Sequence, residues 1–369
     1  MSAENLKVPS GLYWQSRLLK ATENLWRRLG NLESGILRDE LEEIPIESPV
    51  YVTSLARAGT TIVTELLDQH ADTTAHRYSD FPWVWTPYWR NYLRQRTQLA
   101  EPKLEERAHK DRILVSANSP EAVEEVLWNH FFPQTHDPQQ SNILDRQTSH
   151  PAFEKFYAEH LQKLLLVRKA KRYLAKGNYN IGRLGYIHKL MPSARFIIPV
   201  RNPYNHIASL VKQHQFFLQA AKSDPRICQQ LQFAGHWEFG PGRRLVNYAD
   251  PQAVEAIKTA WSNGDEITGW AWLWRSTYAH LFKQLEADPG LRDACYIFHY
   301  EELCADSGRI IDEILSHSKL NPASFTSQRT QYTEKLSPPD YYQPAFNETQ
   351  KTTIAEVCGD IAATLGYSI

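Results

Sequence analysis

The stretch that decides the fold is residues 50–61, which read VYVTSLARAGTT. Its first four residues are apolar or β-branched and predict a short buried strand. A tight loop follows, and Gly59 comes just before a segment that predicts a helix from about Thr60 to His70. Unpaired N–H groups at the start of that helix, Arg57 and the two threonine hydroxyls can together bind an anion. The stretch therefore predicts a phosphate-binding loop.

This loop differs from the nucleotide-binding loop of common kinases and ATPases. The pattern G-x-x-x-x-G-K-[ST] is absent, and no lysine precedes the threonine pair. Taken alone, the stretch is also compatible with a capped helix start that carries an ordinary surface arginine.

A second strand–loop–helix unit is predicted further along the chain. Residues 195–200 are mostly apolar and predict a strand, and a helix follows from Pro203 to about Gln219. Asn202 suits the N-cap of that helix, and proline suits its first position. Pro199 is awkward in a central strand because it has no N–H, so the strand is expected to be irregular or to end early.

The end of this second strand carries another anion-binding combination. Arg201 stands at the strand end, and Ser209 follows about two helical turns later. An arginine and a serine that converge there can hold a second phosphate. The alternative is an arginine–carboxylate pair with a surface serine. A third strand is predicted at residues 295–300, followed by Tyr300-Glu301-Glu302-Leu303.

Alternating strands and helices predict an α/β fold with a central parallel sheet flanked by helices, and a P-loop-like strand–loop–helix phosphate site. We expect an N-terminal amphipathic helical extension over residues 1–44 and a main domain over 45–320. Residues 321–369 are expected to form an irregular segment and a last helix of the same domain. Residues 11–38 predict one amphipathic helix, which either packs on the domain or binds a partner or membrane surface.

Composition excludes several classes of protein. The formal net charge of the 369 residues is −1, so no whole-molecule field favours nucleic acid as a partner. The apolar runs are too short for a membrane span, and the first residues show no signal peptide. Four scattered cysteines fit no metal site and favour a reducing, cytoplasmic location.

The three motifs, in this order and spacing, resemble those of the PAPS-dependent sulfotransferase family (PAPS is 3′-phosphoadenylyl sulfate). The family's R-S-G-T-T is matched by Arg57-Ala58-Gly59-Thr60-Thr61, and its R-[DN]-P with a later serine by Arg201-Asn202-Pro203 with Ser209. Its Y-E-x-L is matched by Tyr300 to Leu303. Lys176 resembles the lysine of a Lys-x-Pro segment, although Asn178 stands where proline is usual. The resemblance covers roughly residues 48–320.

The resemblance implies transfer of a sulfuryl group from PAPS to the hydroxyl of a small or glycan-like acceptor, with PAP as product and no metal. It implies a nucleotide site formed by the first loop, the Arg201–Ser209 pair and Tyr300. Arg57, Thr60 and Thr61 would hold the 5′-phosphosulfate, and Lys176 would neutralise the leaving oxygen. A non-catalytic ligand-binding relative, and an ATP-using kinase, are the alternatives, and a homodimer is left open.

In relatives the general base is a Glu or a His, often shortly after the first helix. Here that region contains His76 and Asp80 but no glutamate, so these two are the catalytic candidates, with His130 and His136 next. The following segment, residues 81–89, contains five aromatic residues. We expect Trp83 or Trp85 to form a wall of the acceptor pocket; the alternative is that these rings fill the core.

Overall fold

The structure, a computed structural model, describes residues 3–97, 105–106, 114–337 and 345–369. These residues contain a five-stranded, all-parallel sheet and a separate two-stranded antiparallel ribbon. The strands are β1 Val50–Val52, β2 Thr73–Ala75, β3 Glu105–Glu106, β4 Leu114–Val115, β5 Arg172–Lys176, β6 Arg195–Val200 and β7 Cys295–His299. The order in the main sheet is β2-β5-β1-β6-β7. The predicted α/β fold with a central parallel sheet is confirmed.

Helices cover the sheet. The α-helices among the described residues are α1 Ser10–Ala21, α2 Glu23–Ile36, α3 Arg38–Glu42, α4 Thr60–Asp68, α5 Pro87–Arg96, α6 Glu125–Phe131, α7 Pro151–Arg168, α8 Leu184–Leu190, α9 Pro203–Ser223, α10 Arg226–Phe233, α11 Pro251–Ser262, α12 Glu266–Ala287, α13 Pro289–Ala294, α14 Tyr300–Ala305, α15 Ser307–His317, α16 Thr326–Lys335 and α17 Glu348–Thr364. Short 3₁₀ turns lie at Ala3–Asn5, Tyr78–Asp80, Pro133–His136, Asn178–Arg183 and Pro322–Phe325.

The central strand β1 sets the position of the site. All three of its residues are fully buried, which is the pattern of a strand covered on both faces. Val52 pairs with Lys176 on one side and with Ile197 on the other. Because the five strands are parallel, their carboxyl ends meet at one edge of the sheet. The predicted motifs all follow carboxyl ends of strands, so they converge there.

Two of the five sheet strands are missing from the sequence prediction. β2 has three residues, and β5 begins and ends with the charged residues Arg172 and Lys176, so neither gives a long apolar run. Pro199 does lie in β6, but β1 pairs with β6 only as far as Ile197, with Thr53 adding one further N–H bond to that residue. Pro199 is therefore paired only with β7, where Phe298 faces it. The N-cap prediction for Asn202 is confirmed, since its side chain accepts from the Tyr204 N–H at 3.0 Å.

The predicted helix over residues 11–38 is two helices, α1 and α2, with a break at Thr22. Tyr13 and Leu19 face the protein, and Tyr13 belongs to the main core together with Ala3 and Val8. The opposite side of the two helices exposes large apolar residues: Trp14, Leu18, Leu25, Leu32 and Ile36. Among the described helices, none is long and apolar enough to cross a membrane.

Candidate active site

The loop after β1 is shaped by Gly59. This residue caps the N-terminus of α4 with φ of 106°, a left-handed conformation that favours glycine. A Cβ atom at this position would lie 2.4 Å from Cδ2 of Tyr300, so the tyrosine ring packs directly on the loop. Ala58 is fully buried and its N–H donates to the Leu55 carbonyl at 3.2 Å. The first and third sequence motifs are thus in contact.

Arg57 joins the first motif to the second. Its backbone has φ of 75°, a conformation that costs a non-glycine residue on the order of 1 kcal/mol or more. Its Nε donates to Oγ of Ser209 at 3.2 Å, and its carbonyl accepts from Nη1 of Arg201 at 3.4 Å. The guanidinium of Arg201 also lies 5.4 Å from the centre of the Tyr300 ring. The structure therefore brings together Arg57, Ser209, Arg201 and Tyr300.

A third cation stands beside these two arginines. Lys176 is the last residue of β5, the neighbour of β1 in the sheet. Arg57, Lys176 and Arg201 thus follow three adjacent strands at the same sheet edge. The lysine Nζ lies 3.3 Å from Oε1 of Glu121, which forms an ion pair at the edge of a cleft.

The cleft at this edge has a volume of about 590 Å³, including space open to solvent. Part of its lining is cationic and rich in hydroxyl groups: Arg57, Thr60, Thr61 and Lys176. Another part is apolar and consists of Phe217, Leu231 and Phe239. Such a cleft can hold an anionic group beside a carbon skeleton.

Three further polar residues line the cleft that the sequence prediction missed: Glu121, His236 and Glu238. Glu238 Oε1 accepts from Nδ2 of Asn178 at 3.0 Å, and the Thr60 hydroxyl is 3.4 Å from Oδ1 of the same asparagine. Asn178, which replaces the proline usual in the resembling family, therefore connects the first loop to Glu238.

The charges in the cleft act on one another. Burial alone would raise the pKa of Glu121, but the positive charges of Lys176 and His236 outweigh it and hold that pKa well below its usual range. The pKa of Glu238 is lowered to about 2, because its contacts with His236 and Asn178 outweigh burial. Burial lowers the pKa of His236, but its contact with Glu238 and the charge of Glu121 reverse this, so that its pKa is raised. Both carboxylates are ionised at neutral pH.

The segment that carries His236 is held firmly. Gly235, with φ of 79°, ends α10, and the His236 N–H donates back to the Leu231 carbonyl at 2.8 Å. The next residue, Trp237, donates its N–H to the Tyr179 hydroxyl at 2.9 Å. A glycine directly after a helix was the one local signal in the sequence; nothing in the spacing relates residue 236 to residue 176.

His76 and Asp80 lie elsewhere. Each is 2% exposed, and neither lines the cleft. The His76 ring contacts Asp80 at 3.2 Å and His160 at 2.9 Å, and Asp80 accepts two bonds from Nη2 of Arg168 at 2.6 and 2.8 Å. A general base must reach the proton of the acceptor, and the described geometry gives these two residues no such access. Their role as base stays a prediction that the geometry does not favour.

The aromatic segment also lies away from the cleft. Trp85 is 2% exposed and packs against Phe156 and His130, with ring centres 5.7 and 5.0 Å away. Trp83 is half-buried, and its ring meets Trp26 of α2 edge-on at 5.1 Å. These rings fill the contact between the N-terminal helices and the domain. This placement differs from the predicted position in a wall of the acceptor pocket. The acceptor role of Trp83 and Trp85 has no support in this placement.

No group of three or more His, Cys, Asp or Glu residues in the described part of the chain is placed to hold a metal ion. The four cysteines are free thiols.

Comparison with solved structures supports the fold. A sulfotransferase from Mycobacterium avium, STF9, is 14% identical, with a TM-score of 0.52 over 91% of this chain and 82% of its own. Sulfotransferase STF1 from Mycobacterium tuberculosis H37Rv is 15% identical, with a TM-score of 0.49 over 90% of this chain and 81% of its own. The search of curated proteins found no match.

The sequence profile described as "Sulfotransferase family" matches residues 49–245, more than half of the chain. The matched range contains both predicted phosphate-binding motifs, Lys176 and every residue that lines the cleft. The chain belongs to the sulfotransferase family.

Proposed function

We propose that this sulfotransferase uses PAPS as its sulfuryl donor and a hydroxyl group as its acceptor. The observation that carries the proposal is the set of three cations, Arg57, Lys176 and Arg201, at the carboxyl ends of three adjacent parallel strands. PAPS carries anionic groups at two separate positions, a 5′-phosphosulfate and a 3′-phosphate. Two groups of anion-binding residues, one on the loop after β1 and one after β6, fit such a donor better than they fit a donor with one anionic chain.

In this proposal the first loop holds the 5′-phosphosulfate. The N-terminus of α4 provides N–H groups and a partial positive charge, and the Thr60 and Thr61 hydroxyls add donors. Arg201 and Ser209 hold the 3′-phosphate, and Arg57, which belongs to the first loop, contacts both of these residues. Tyr300 supports the loop through its packing on Gly59.

Transfer requires an acceptor oxygen to attack sulfur in line with the bridging oxygen to the 5′-phosphate. The S–O bond to that phosphate breaks, and PAP leaves with the electron pair. Lys176 stabilises the charge that grows on the leaving oxygen, as donors fixed at the position of developing charge do in other transferases. The Lys176–Glu121 ion pair holds the lysine at the edge of the cleft, from which it can turn to the donor.

The test is a sulfation screen with PAPS over phenols, steroids, sugars and lipids, read by mass spectrometry, with ATP as the control donor. Formation of a sulfated product together with PAP is the expected result. Phosphorylated product from ATP would instead support a kinase. Binding of PAP without any product from PAPS would support a non-catalytic relative.

A further inference from the structure

We infer that His236 is the base that takes the proton of the acceptor, and that Glu238 orients it. The inference rests on the proposed function, since it assigns a residue to the acceptor side of the same cleft. His236 lines the cleft together with Lys176 and the threonine pair, and its side chain is 30% exposed. It is thus open to a bound molecule, in contrast to His76.

The geometry around His236 suits this role. Its Nδ1 lies 3.7 Å from Oε2 of Glu238, which leaves Nε2 as the nitrogen that can accept a proton. Glu238 is fixed from its other side by Asn178 at 3.0 Å. A carboxylate that orients an imidazole and favours its protonated form is a recurring arrangement in base catalysis.

The charged groups that face His236 are Glu238 on its own loop, Glu121 before α6 and Lys176 at the end of β5. The two carboxylates outweigh the lysine, so the imidazole is a stronger base than a free histidine. In the reaction, Nε2 takes the hydroxyl proton as the acceptor oxygen bonds to sulfur, and PAP leaves with the electron pair of the broken S–O bond.

The walls beside His236 indicate the class of acceptor. Phe217, Leu231 and Phe239 form the apolar part of the cleft lining, and Phe217 and Phe239 stack with ring centres 6.3 Å apart. A hydroxyl on a hydrocarbon skeleton, such as a phenol, can bury its carbon atoms there, whereas the hydroxyls of a sugar would lose their hydrogen bonds to water. Phenols are therefore the expected acceptor class.

The experiment compares His236→Gln with wild type, using phenol and p-nitrophenol as acceptors. At the slightly alkaline pH of the assay, phenol keeps its proton and needs a base, whereas the nitro compound is largely ionised and does not. We expect kcat with phenol to fall roughly 10²–10⁴-fold and kcat with p-nitrophenol to fall much less. His317→Gln, which removes a half-buried histidine at the end of α15, is the matched control and should change neither rate.

Glu238→Gln gives a second readout. Loss of the carboxylate lowers the pKa of His236, so the rise of kcat/KM with pH should move to lower pH. The assignment of the base is overturned if His236→Gln lowers kcat equally with both acceptors. It is also overturned if Glu238→Gln leaves the pH profile of kcat/KM unmoved. Wild-type protein that binds PAP but sulfates neither phenol overturns the acceptor class. Absence of PAP binding in calorimetry is failure of the proposed function itself.

A different observation carries a second inference, on the exposed side of α1 and α2. Trp14, Leu18, Leu25, Leu32 and Ile36 are 53–61% exposed, and successive members are four or seven residues apart. Within each helix this spacing places them on one side, Trp14 and Leu18 on α1 and the other three on α2. We call these five residues the apolar stripe.

The exposed charges beside the first part of the apolar stripe, on α1 and α2, are basic, whereas the exposed acidic residues Asp39 and Glu40 follow its last member, Ile36. Between residues 10 and 36 the exposed charged side chains are Arg17, Lys20 and Arg28. The two glutamates of the segment, Glu23 and Glu33, have side chains only 12% and 0% exposed. The guanidinium of Arg17 lies 5.2 Å from the centre of the Trp14 ring, within the stripe itself.

We propose that the apolar stripe binds an anionic lipid surface. Apolar side chains flanked by arginine and lysine fit the interface of such a bilayer. A second copy of the chain is the alternative occupant, which the test below distinguishes from a lipid surface. Tyr13 on the opposite side of α1 packs against Phe233 of α10, with ring centres 6.2 Å apart, so the apolar stripe faces away from the domain.

The test is co-sedimentation with phosphatidylcholine vesicles that contain or lack phosphatidylserine. We expect salt-sensitive binding only to the vesicles with phosphatidylserine, and loss of that binding in Leu25→Ser/Leu32→Ser. Leu93→Ser on α5 is the matched control, since Leu93 is 60% exposed but outside the stripe, and it should bind like wild type. No vesicle binding by the wild type, equal loss in the control, or a wild-type dimer that the double substitution dissociates would overturn the proposal.

Discussion

At the residue scale, the most constrained position of the site is Gly59. Its left-handed backbone and the Tyr300 ring that covers it leave no space for a side chain. From the sequence, we expected Gly59 to let the backbone approach an anion closely. The structure shows in addition that Gly59 contacts Tyr300, which belongs to a motif more than two hundred residues later in the chain. Because the first and third motifs are in contact, the two together are more informative than either motif alone.

Gly59→Ala should therefore weaken PAP binding as well as stability. The strained φ costs about 1–3 kcal/mol, and the added methyl group must displace Tyr300 from the loop. Gly264→Ala separates the two effects, because Gly264 has φ of 75° but nothing within 4 Å of an added Cβ atom. Calorimetry and thermal melts should show lower stability for both variants and lower PAP affinity for Gly59→Ala alone. Normal PAP affinity in folded Gly59→Ala would contradict the role given to the Tyr300 contact.

At the element scale, Asp80 ties the turn after β2 to α7 and α5. It accepts from Arg168 on α7, from the Arg77 N–H at 2.8 Å and from Asn91 on α5 at 3.3 Å. Burial would raise the pKa of Asp80, but the hydrogen bond with His76 and the charge of Arg168 lower it far below its usual range. This is the pattern of a structural ion pair rather than of a base, which needs a pKa nearer neutrality.

Asp80→Asn should cost roughly 3–5 kcal/mol of stability, because Arg168 loses its partner in a largely buried position. An unfolded aspartate has a pKa of about 3.9, and the folded value is lower, so the native protein binds fewer protons. The stabilisation by Asp80 is then complete at pH values above the unfolded pKa and declines as the pH falls toward the folded pKa. Denaturant melts across this pH range should show the difference between wild type and variant shrinking in acid.

Asp360→Asn is the matched control, because its pair with Arg275 at 2.6 Å is exposed and should be worth at most about 1 kcal/mol.

The folded Asp80→Asn protein should keep turnover within a few-fold of wild type. A fall in kcat of roughly 10²-fold or more with unchanged stability would restore Asp80 as a base candidate.

Elements that carry their own signal were predictable, and those that depend on neighbours were not. β1 and β6 are recognisable in the sequence as apolar runs, and Asn202 with Pro203 marks the start of α9. β5 has charged ends and gains its place only from pairing with β1 and β2 on either side. The break at Thr22 likewise depends on how α1 and α2 pack on the domain.

At the scale of the whole molecule, the cleft combines parts of the chain that no local pattern relates. Glu121, Lys176 and His236 come from three distant segments, and of these only Lys176 had a counterpart in the sequence motifs. Conversely, residues 81–89 look like a binding loop because they are rich in aromatic residues, yet Trp85 is core. Motifs with fixed backbone requirements could be placed from the sequence, whereas the acceptor side, which tertiary packing assembles, could not.

The central claim is that two groups of anion-binding residues hold a nucleotide with phosphates at two positions. The most direct measurement is calorimetry of PAP and 5′-AMP with wild type, Arg201→Ala and Arg195→Ala. Arg195, at the opposite end of the same strand, is the matched control. We predict that wild type and Arg195→Ala prefer PAP, and that Arg201→Ala loses about 1.5–3 kcal/mol of PAP binding with little change for 5′-AMP. An unchanged preference for PAP in folded Arg201→Ala would contradict the account.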